Sequence, residues 1–63
     1  MNVGYNVRMQ RMSKGMSQDD LAEAVGVSKS MIYQVERGTK NLTIELANEI
    51  ANVLECKIND FVK

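Results

Sequence analysis

Sixty-three residues, with eight basic and eight acidic side chains, no histidine, no proline and one cysteine, are read as a single domain spanning 1–63 that has neither a disulfide framework nor a zinc site to hold it. A chain this short buries only about 60% of the surface it exposes when unfolded, which leaves association with a second copy as the remaining common aid to stability. No apolar run approaches the roughly 20 residues of a membrane span and no basic-then-apolar leader precedes the chain, so a cytoplasmic protein is expected, in keeping with the lone thiol of Cys56.

The absence of proline and the three aromatics (Tyr5, Tyr33, Phe61) suit packed helices joined by short turns. A first helix carries Val3, Val7 and Arg11 on one face, four residues apart, and stops near Lys14-Gly15, where glycine takes the left-handed conformation. Tyr5, Met9 and Met12 form a second apolar stripe on its opposite side. That stripe reads as irregular packing with scattered exposed apolars, or as a contact surface for another chain. Met16 is expected in the core. Ser17 caps a second helix, and Ser17-x-x-Asp20 resembles a capping box in which Asp replaces Glu. Asp19 and Asp20 sit where the helix dipole favours negative charge. Leu21, Ala22 and Val25 face inward, and Gly26 ends this helix after about two turns.

Ser28 caps a third helix over roughly Lys29 to Arg37, with Ile32 and Val35 inward and Gly38 as its stop. Met31 packs at its edge or covers the helix pair. Thr43 caps a longer fourth helix whose core side is read as Ile44, Ala47, Ile50, Ala51 and Leu54. A last short turn holds Ile58, Phe61 and Val62. The predicted fold is all-α, a compact bundle of five helices.

Residues 17 to 38, SQDDLAEAVGVSKSMIYQVERG, carry the functional signal. Two short helices meet at a tight glycine turn, with small Ala22 where they would cross closely. The second is thereby free to protrude, its N-terminal end toward a major groove about 12 Å wide. Lys29, Ser30, Tyr33 and Gln34 share its outer face, opposite Ile32 and Val35. Glutamine pairs with adenine, lysine donates to guanine, and Tyr33 suits a thymine methyl or a sugar. The plainer reading of the same face is a solvated helix surface. Net charge is zero, yet residues 1–40 hold six basic against four acidic side chains and residues 41–63 two against four, a polarised distribution.

The same stretch resembles the lambda-repressor-like family of phage repressors, Cro proteins and Xre-type bacterial regulators. Matching residues are Arg11, Ser17-Gln18, Leu21-Ala22, Gly26-Val27-Ser28, Ile32, Glu36-Arg37-Gly38, Asn41 and Leu54, and the likeness covers about Val3 to Val62. It departs at Leu42, where the family often has proline, and at Glu55, where it often has glycine. The resemblance implies a five-helix fold and transcriptional control by a DNA-binding homodimer. It implies base reading by Lys29, Ser30, Tyr33 and Gln34. Gln18 would clamp a phosphate, with Ser28, Arg37, Lys40, Asn41 and Thr43 as further phosphate contacts; Thr43 serves equally as a helix cap. Arg11, an odd charge on an apolar face, would form a partly buried salt bridge with Glu36. A dimer through Leu46, Ile50, Val53, Phe61 and Val62 would set two recognition helices roughly 34 Å apart on a near-palindromic operator. Repression by occlusion is the expected mode of control.

No catalysis, cofactor, metal, small-molecule site or membrane contact is expected: no nucleophile–base arrangement is visible, and Cys56 reads as a small buried hydrophobe. The competing reading is a protein-interaction module on the same fold, binding a partner regulator or a toxin through the fourth helix and the Tyr5-Met9-Met12 face.

Overall fold

The computed structural model describes residues 2–61 and contains four α-helices and one 3-10 turn: α1 Val3–Ser13, α2 Gln18–Val25, α3 Lys29–Arg37, α4 Ile44–Leu54 and the turn Ile58–Asp60. The expected fifth helix is thus a three-residue 3-10 turn, too short for a full α-turn with its i to i+4 hydrogen bonds.

Each α-helix begins on a side chain that satisfies an otherwise unpaired backbone N–H. Asn2 accepts from the Tyr5 amide, Ser17 from Asp20, Ser28 from Met31 and Thr43 from Leu46. At Ser17 the box is reciprocal, since the Asp20 carboxylate accepts from the Ser17 amide at 3.0 Å. That bond holds the Asp20 carboxyl below its ordinary value.

The helices also end alike. After α1, α3 and α4 an amide two or three residues beyond the end reaches back five residues to a helix carbonyl: Met16 to Arg11, Thr39 to Gln34 and Cys56 to Ala51. Val27 does the same to Ala22 after α2. The residue before each of these amides lies in the left-handed region. Three times it is glycine, and after α4 it is Glu55 at φ 55°. The departure from glycine noted in the sequence therefore leaves the turn geometry intact, with a side chain in a conformation that glycine takes at less cost.

The core gathers Val7, Leu21, Ala22, Ile32, Ile50, Ala51, Leu54 and Phe61, one or more from every helix and one from the chain's last turn. Burying one such large apolar side chain is worth about 1.5–3 kcal/mol. Met16, Val25, Val27, Leu42 and Cys56 pack against this cluster from partly exposed positions. Burial pushes the Cys56 thiol pKa up, Asp60 adds to the shift and Lys14 opposes it. The Asn6 side-chain amide donates to the Phe61 carbonyl at 2.8 Å, tying α1 to the last turn.

Two expectations for this half of the molecule are corrected. Ile44 is 77% exposed and lies outside the core. It sits at the start of α4 and borders an open groove with Val3, Leu42 and Ile58. Ile50 and Phe61 are fully buried within the single chain and have no surface to offer a second copy. Leu46 and Val53 remain partly exposed on α4, while Val62 lies outside the described residues. No helix is long and apolar enough to cross a membrane, and among the described residues no group of acidic or cysteine side chains could hold a metal ion.

Candidate nucleic-acid interface

Three residues, Gly26-Val27-Ser28, separate α2 from α3. Gly26 turns the chain at φ 87°, Val27 packs on the core and Ser28 opens α3. Nearly buried Ala22 lets the two helices approach closely. Ile32 and Val35 anchor α3 from below, at 0% and 2% exposure. The opposite face is thereby presented outward: Lys29, Ser30 and Tyr33 are exposed and Gln34 is half-buried. The structure brings all four of these sequence-derived candidates onto one face.

One network fixes the orientation of this helix. Arg11 rises from α1 and donates through Nε to Glu36 Oε2 at 2.7 Å, through Nη2 to Glu36 Oε1 at 3.1 Å and through Nη1 to the Met16 carbonyl at 2.7 Å. The two charged side chains are 10% and 3% exposed. Such a bidentate pair, with a third donor also satisfied, is the arrangement in which a buried charge is tolerated. Gln18, on the first turn of α2, donates through Nε2 to Glu36 Oε1 at 3.1 Å. Glu36 therefore holds α1, α2 and α3 together and fixes the side chain of Gln18. The sequence pointed to the Arg11–Glu36 pair and not to its third member.

The remaining candidates surround the same face. Arg37 donates through Nη1 to the Tyr33 hydroxyl at 3.1 Å, with its guanidinium carbon 5.5 Å from the ring centroid. Lys40 and Asn41 are exposed in the loop between α3 and α4. Ser28 and Thr43 both cap helices, each accepting an amide at 3.1 Å, and each hydroxyl keeps its own proton to donate. Lys29 Nζ lies 3.8 Å from Asp19 Oδ2, both side chains largely exposed. This contact between the first turns of α2 and α3 was not anticipated.

Two further residues escaped the sequence reading. Gly4 lies buried on α1, where an added Cβ would come within 2.4 Å of the Val35 carbonyl oxygen and 2.6 Å of that of Glu36. The missing side chain lets α1 pass close to the backbone of α3. The only sequence signal of this approach is a glycine inside a helical pattern, which often marks close packing. Arg8 joins Arg11, Gln18, Tyr33, Glu36 and Arg37 around a polar cleft. Its signal is the three-residue spacing from Arg11 along α1.

The HTH_3 helix-turn-helix family model matches residues 7–61. A helix-turn-helix-type transcriptional regulator of Archaeoglobus fulgidus is 39% identical over 54 residues, which is 86% of this chain and 77% of that protein. The restriction-modification controller protein C.AhdI from Aeromonas hydrophila superposes with a TM-score of 0.91 at 30% identity, covering 95% of this chain and 91% of the other. The biofilm master regulator SinR, solved in complex with DNA, superposes with a TM-score of 0.90 at 29% identity over 97% of this chain and 98% of that one. The chain spans 44% of the length of its Sinorhizobium medicae relative and 52% of full-length SinR from Bacillus subtilis.

Proposed function

The chain belongs to the HTH_3 helix-turn-helix family, and on that premise we propose that it is a sequence-specific double-stranded-DNA-binding transcriptional regulator that reads the major groove with α3. The observation that carries this reading is the division of α3 into two faces. Ile32 and Val35 are locked in the core, and Lys29, Ser30, Tyr33 and Gln34 stand outward on a helix held by the Arg11–Glu36–Gln18 network. A rigid scaffold presenting a short polar helix is what groove readout requires. The SinR structure in complex with DNA supports the same use of the fold here.

In this reading Lys29, Ser30, Tyr33 and Gln34 contact base edges. Gln18, Ser28, Arg37, Lys40, Asn41 and Thr43 position the protein on the phosphates. The regulator works as a cytoplasmic homodimer of this single domain, 1–63, on a near-palindromic operator and represses by occluding it. Leu46 and Val53, partly exposed on α4, are the described residues that supply the dimer surface. It needs no metal, cofactor or small-molecule ligand.

The test is fluorescence anisotropy with a labelled duplex from just upstream of the protein's own gene, a scrambled duplex, and a salt series. Binding to the first at least about a thousandfold tighter than to the second marks a specific regulator, and Lys29→Ala with Gln34→Ala should abolish that preference without unfolding the domain. Equal weak binding to both duplexes, followed by no enrichment from random DNA, would overturn the reading. Sedimentation at high micromolar concentration tests the dimer, and a monomer there would remove that part of it.

A second reading draws on one observation. Tyr5, Met9 and Met12 are all exposed on the outer side of α1, a surface suited to a protein partner. A partner bound there would be retained by the Lys29→Ala, Gln34→Ala variant, which separates the two functions.

A further inference from the structure

The polar cleft beside the recognition helix contains three guanidiniums, from Arg8, Arg11 and Arg37, and one carboxylate, from Glu36. That carboxylate is already consumed: Arg11 takes both of its oxygens, and Gln18 shares one of them. Arg37 makes contact with the neutral ring and hydroxyl of Tyr33. Arg8 is exposed and, among the described residues, forms no ion pair. The cleft therefore carries two uncompensated guanidiniums, one on α1 and one at the end of α3, facing a cavity that Gln18 also lines. Like charges converging on one cavity repel each other at a cost that an anion placed between them removes. A guanidinium fork matches the oxygens of a phosphodiester in bidentate fashion.

We infer that Arg8 is a phosphate-binding residue, closing with Arg37 on one phosphodiester of the DNA backbone at this cleft. The inference rests on the DNA-binding reading and extends the protein–DNA contact from α2 and α3 onto α1. The occupant is a backbone phosphate because the cleft shares Tyr33 with the base-facing side of α3 and Gln18 with the first turn of α2. A strand running beside the inserted helix passes that junction. Arg8 then acts on affinity and placement in register, and leaves base preference to α3.

The probe is a fluorescein-labelled 30-base-pair duplex enriched by the wild-type protein from a random pool. Wild type, Arg8→Ala, Arg8→Lys and Lys57→Ala are titrated with it between 50 and 200 mM salt. Loss of one phosphate contact reduces the slope of log affinity against log salt by about 0.9. The wild-type advantage over Arg8→Ala should therefore shrink by about 3.5-fold across that salt range. Arg8→Lys should keep the slope, and Lys57→Ala, altering an exposed charge on the last turn, should match wild type. Neutral methylphosphonates placed singly along the duplex should reveal one position whose penalty is large for wild type and clearly smaller for Arg8→Ala, in which Arg37 alone remains at that phosphate. Arg8→Gln, which removes the charge and keeps a long side chain suited to a helix, gives the same readout if Arg8→Ala folds poorly. If wild type binds and Arg8→Ala matches it in slope and affinity, or if Lys57→Ala loses as much as Arg8→Ala, the assignment of Arg8 is overturned while DNA binding stands. Failure of wild type to enrich any duplex overturns both.

Discussion

Arg11 and Glu36, 25 residues apart in the chain, meet in a two-pronged ion pair at 2.7 and 3.1 Å that is almost wholly shielded from solvent. Through it α1 grips the C-terminal turn of α3. Removing one member of such a pair strands the other as a buried charge and typically costs about 3–5 kcal/mol. Arg11→Ala is therefore expected to unfold the domain or to lower its melting temperature by well over 10 °C, since about 1 kcal/mol shifts a domain of this size by roughly 4–8 °C. Circular-dichroism melting checks this, and an unchanged midpoint would show the pair to be dispensable.

Gly4 makes a prediction against helix propensity. Alanine is favoured over glycine in a helix by about 1 kcal/mol, yet a Cβ at Gly4 would sit 2.4 Å from a backbone oxygen of α3. Backbone cannot rotate away as a side chain can, so the helices must part, and overpacking of this kind costs about 1–3 kcal/mol or more. Gly4→Ala should be net destabilising in urea denaturation. A stabilised variant would mean that α1 and α3 have room to separate.

Glu55 predicts a gain. It holds φ 55° at the end of α4, the position that glycine fills after α1, α2 and α3. A left-handed conformation costs an ordinary residue roughly 1–2 kcal/mol, and glycine recovers most of that after its own entropy loss in folding. Glu55→Gly should raise stability by about 0.5–1 kcal/mol without altering DNA affinity, as measured by denaturation and anisotropy on the same samples. A loss of stability would show that the carboxylate makes a compensating contribution.

The capping box carries a pH dependence. The Asp20 carboxyl is lowered from its usual value of 3.8, first by the Ser17 amide and then by the Ser17 hydroxyl. A carboxyl with a depressed folded pKa stabilises the fold above its unfolded pKa and loses that contribution as pH falls through the folded value. The stability difference between wild type and Asp20→Asn should therefore favour wild type near about pH 6 and shrink toward about pH 2.5. A difference independent of pH would assign the cap to neutral hydrogen bonding alone.

Asp19 and Lys29 give the last prediction, in which stability and binding move in opposite directions. Asp19 stabilises the start of α2 through the helix dipole by about 0.3–1 kcal/mol, while in the proposed function its carboxylate would compete with DNA for the Lys29 ammonium 3.8 Å away. An exposed pair of this kind is worth at most about 1 kcal/mol. Asp19→Asn should thus melt slightly earlier and bind duplex DNA up to about fivefold more tightly. Unchanged affinity would show that Lys29 reaches DNA without leaving Asp19.

The sequence alone determined most of the helix starts and stops, though not the Asn2 cap of α1 or the Glu55 stop of α4. Caps and left-handed stops act within three to five residues: Ser17, Ser28 and Thr43 each bond an amide three positions on, and Met16, Thr39 and Cys56 each return to a carbonyl five positions back. Chemistry confined to so short a span is legible from residue order. So was the two-faced character of α3, because a period of 3.6 separates Ile32 and Val35 from Lys29, Ser30, Tyr33 and Gln34 by geometry alone. What only the tertiary structure decided is which neighbour each face meets. The apolar period of α4 does not distinguish Ile44, left in solvent, from Ile50, buried completely. Burial depends on which elements pack over each position, and Ile44 is left facing the open groove that it shares with Leu42 and Ile58. Phe61 became core because the last turn folds back on the apolar cluster, where its carbonyl also meets Asn6, 55 residues away. The tight fit at Gly4, the hold of Glu36 on Gln18 and the cleft at Arg8 likewise come from helices brought side by side by burial of a shared core. No local pattern records the partner in such a contact.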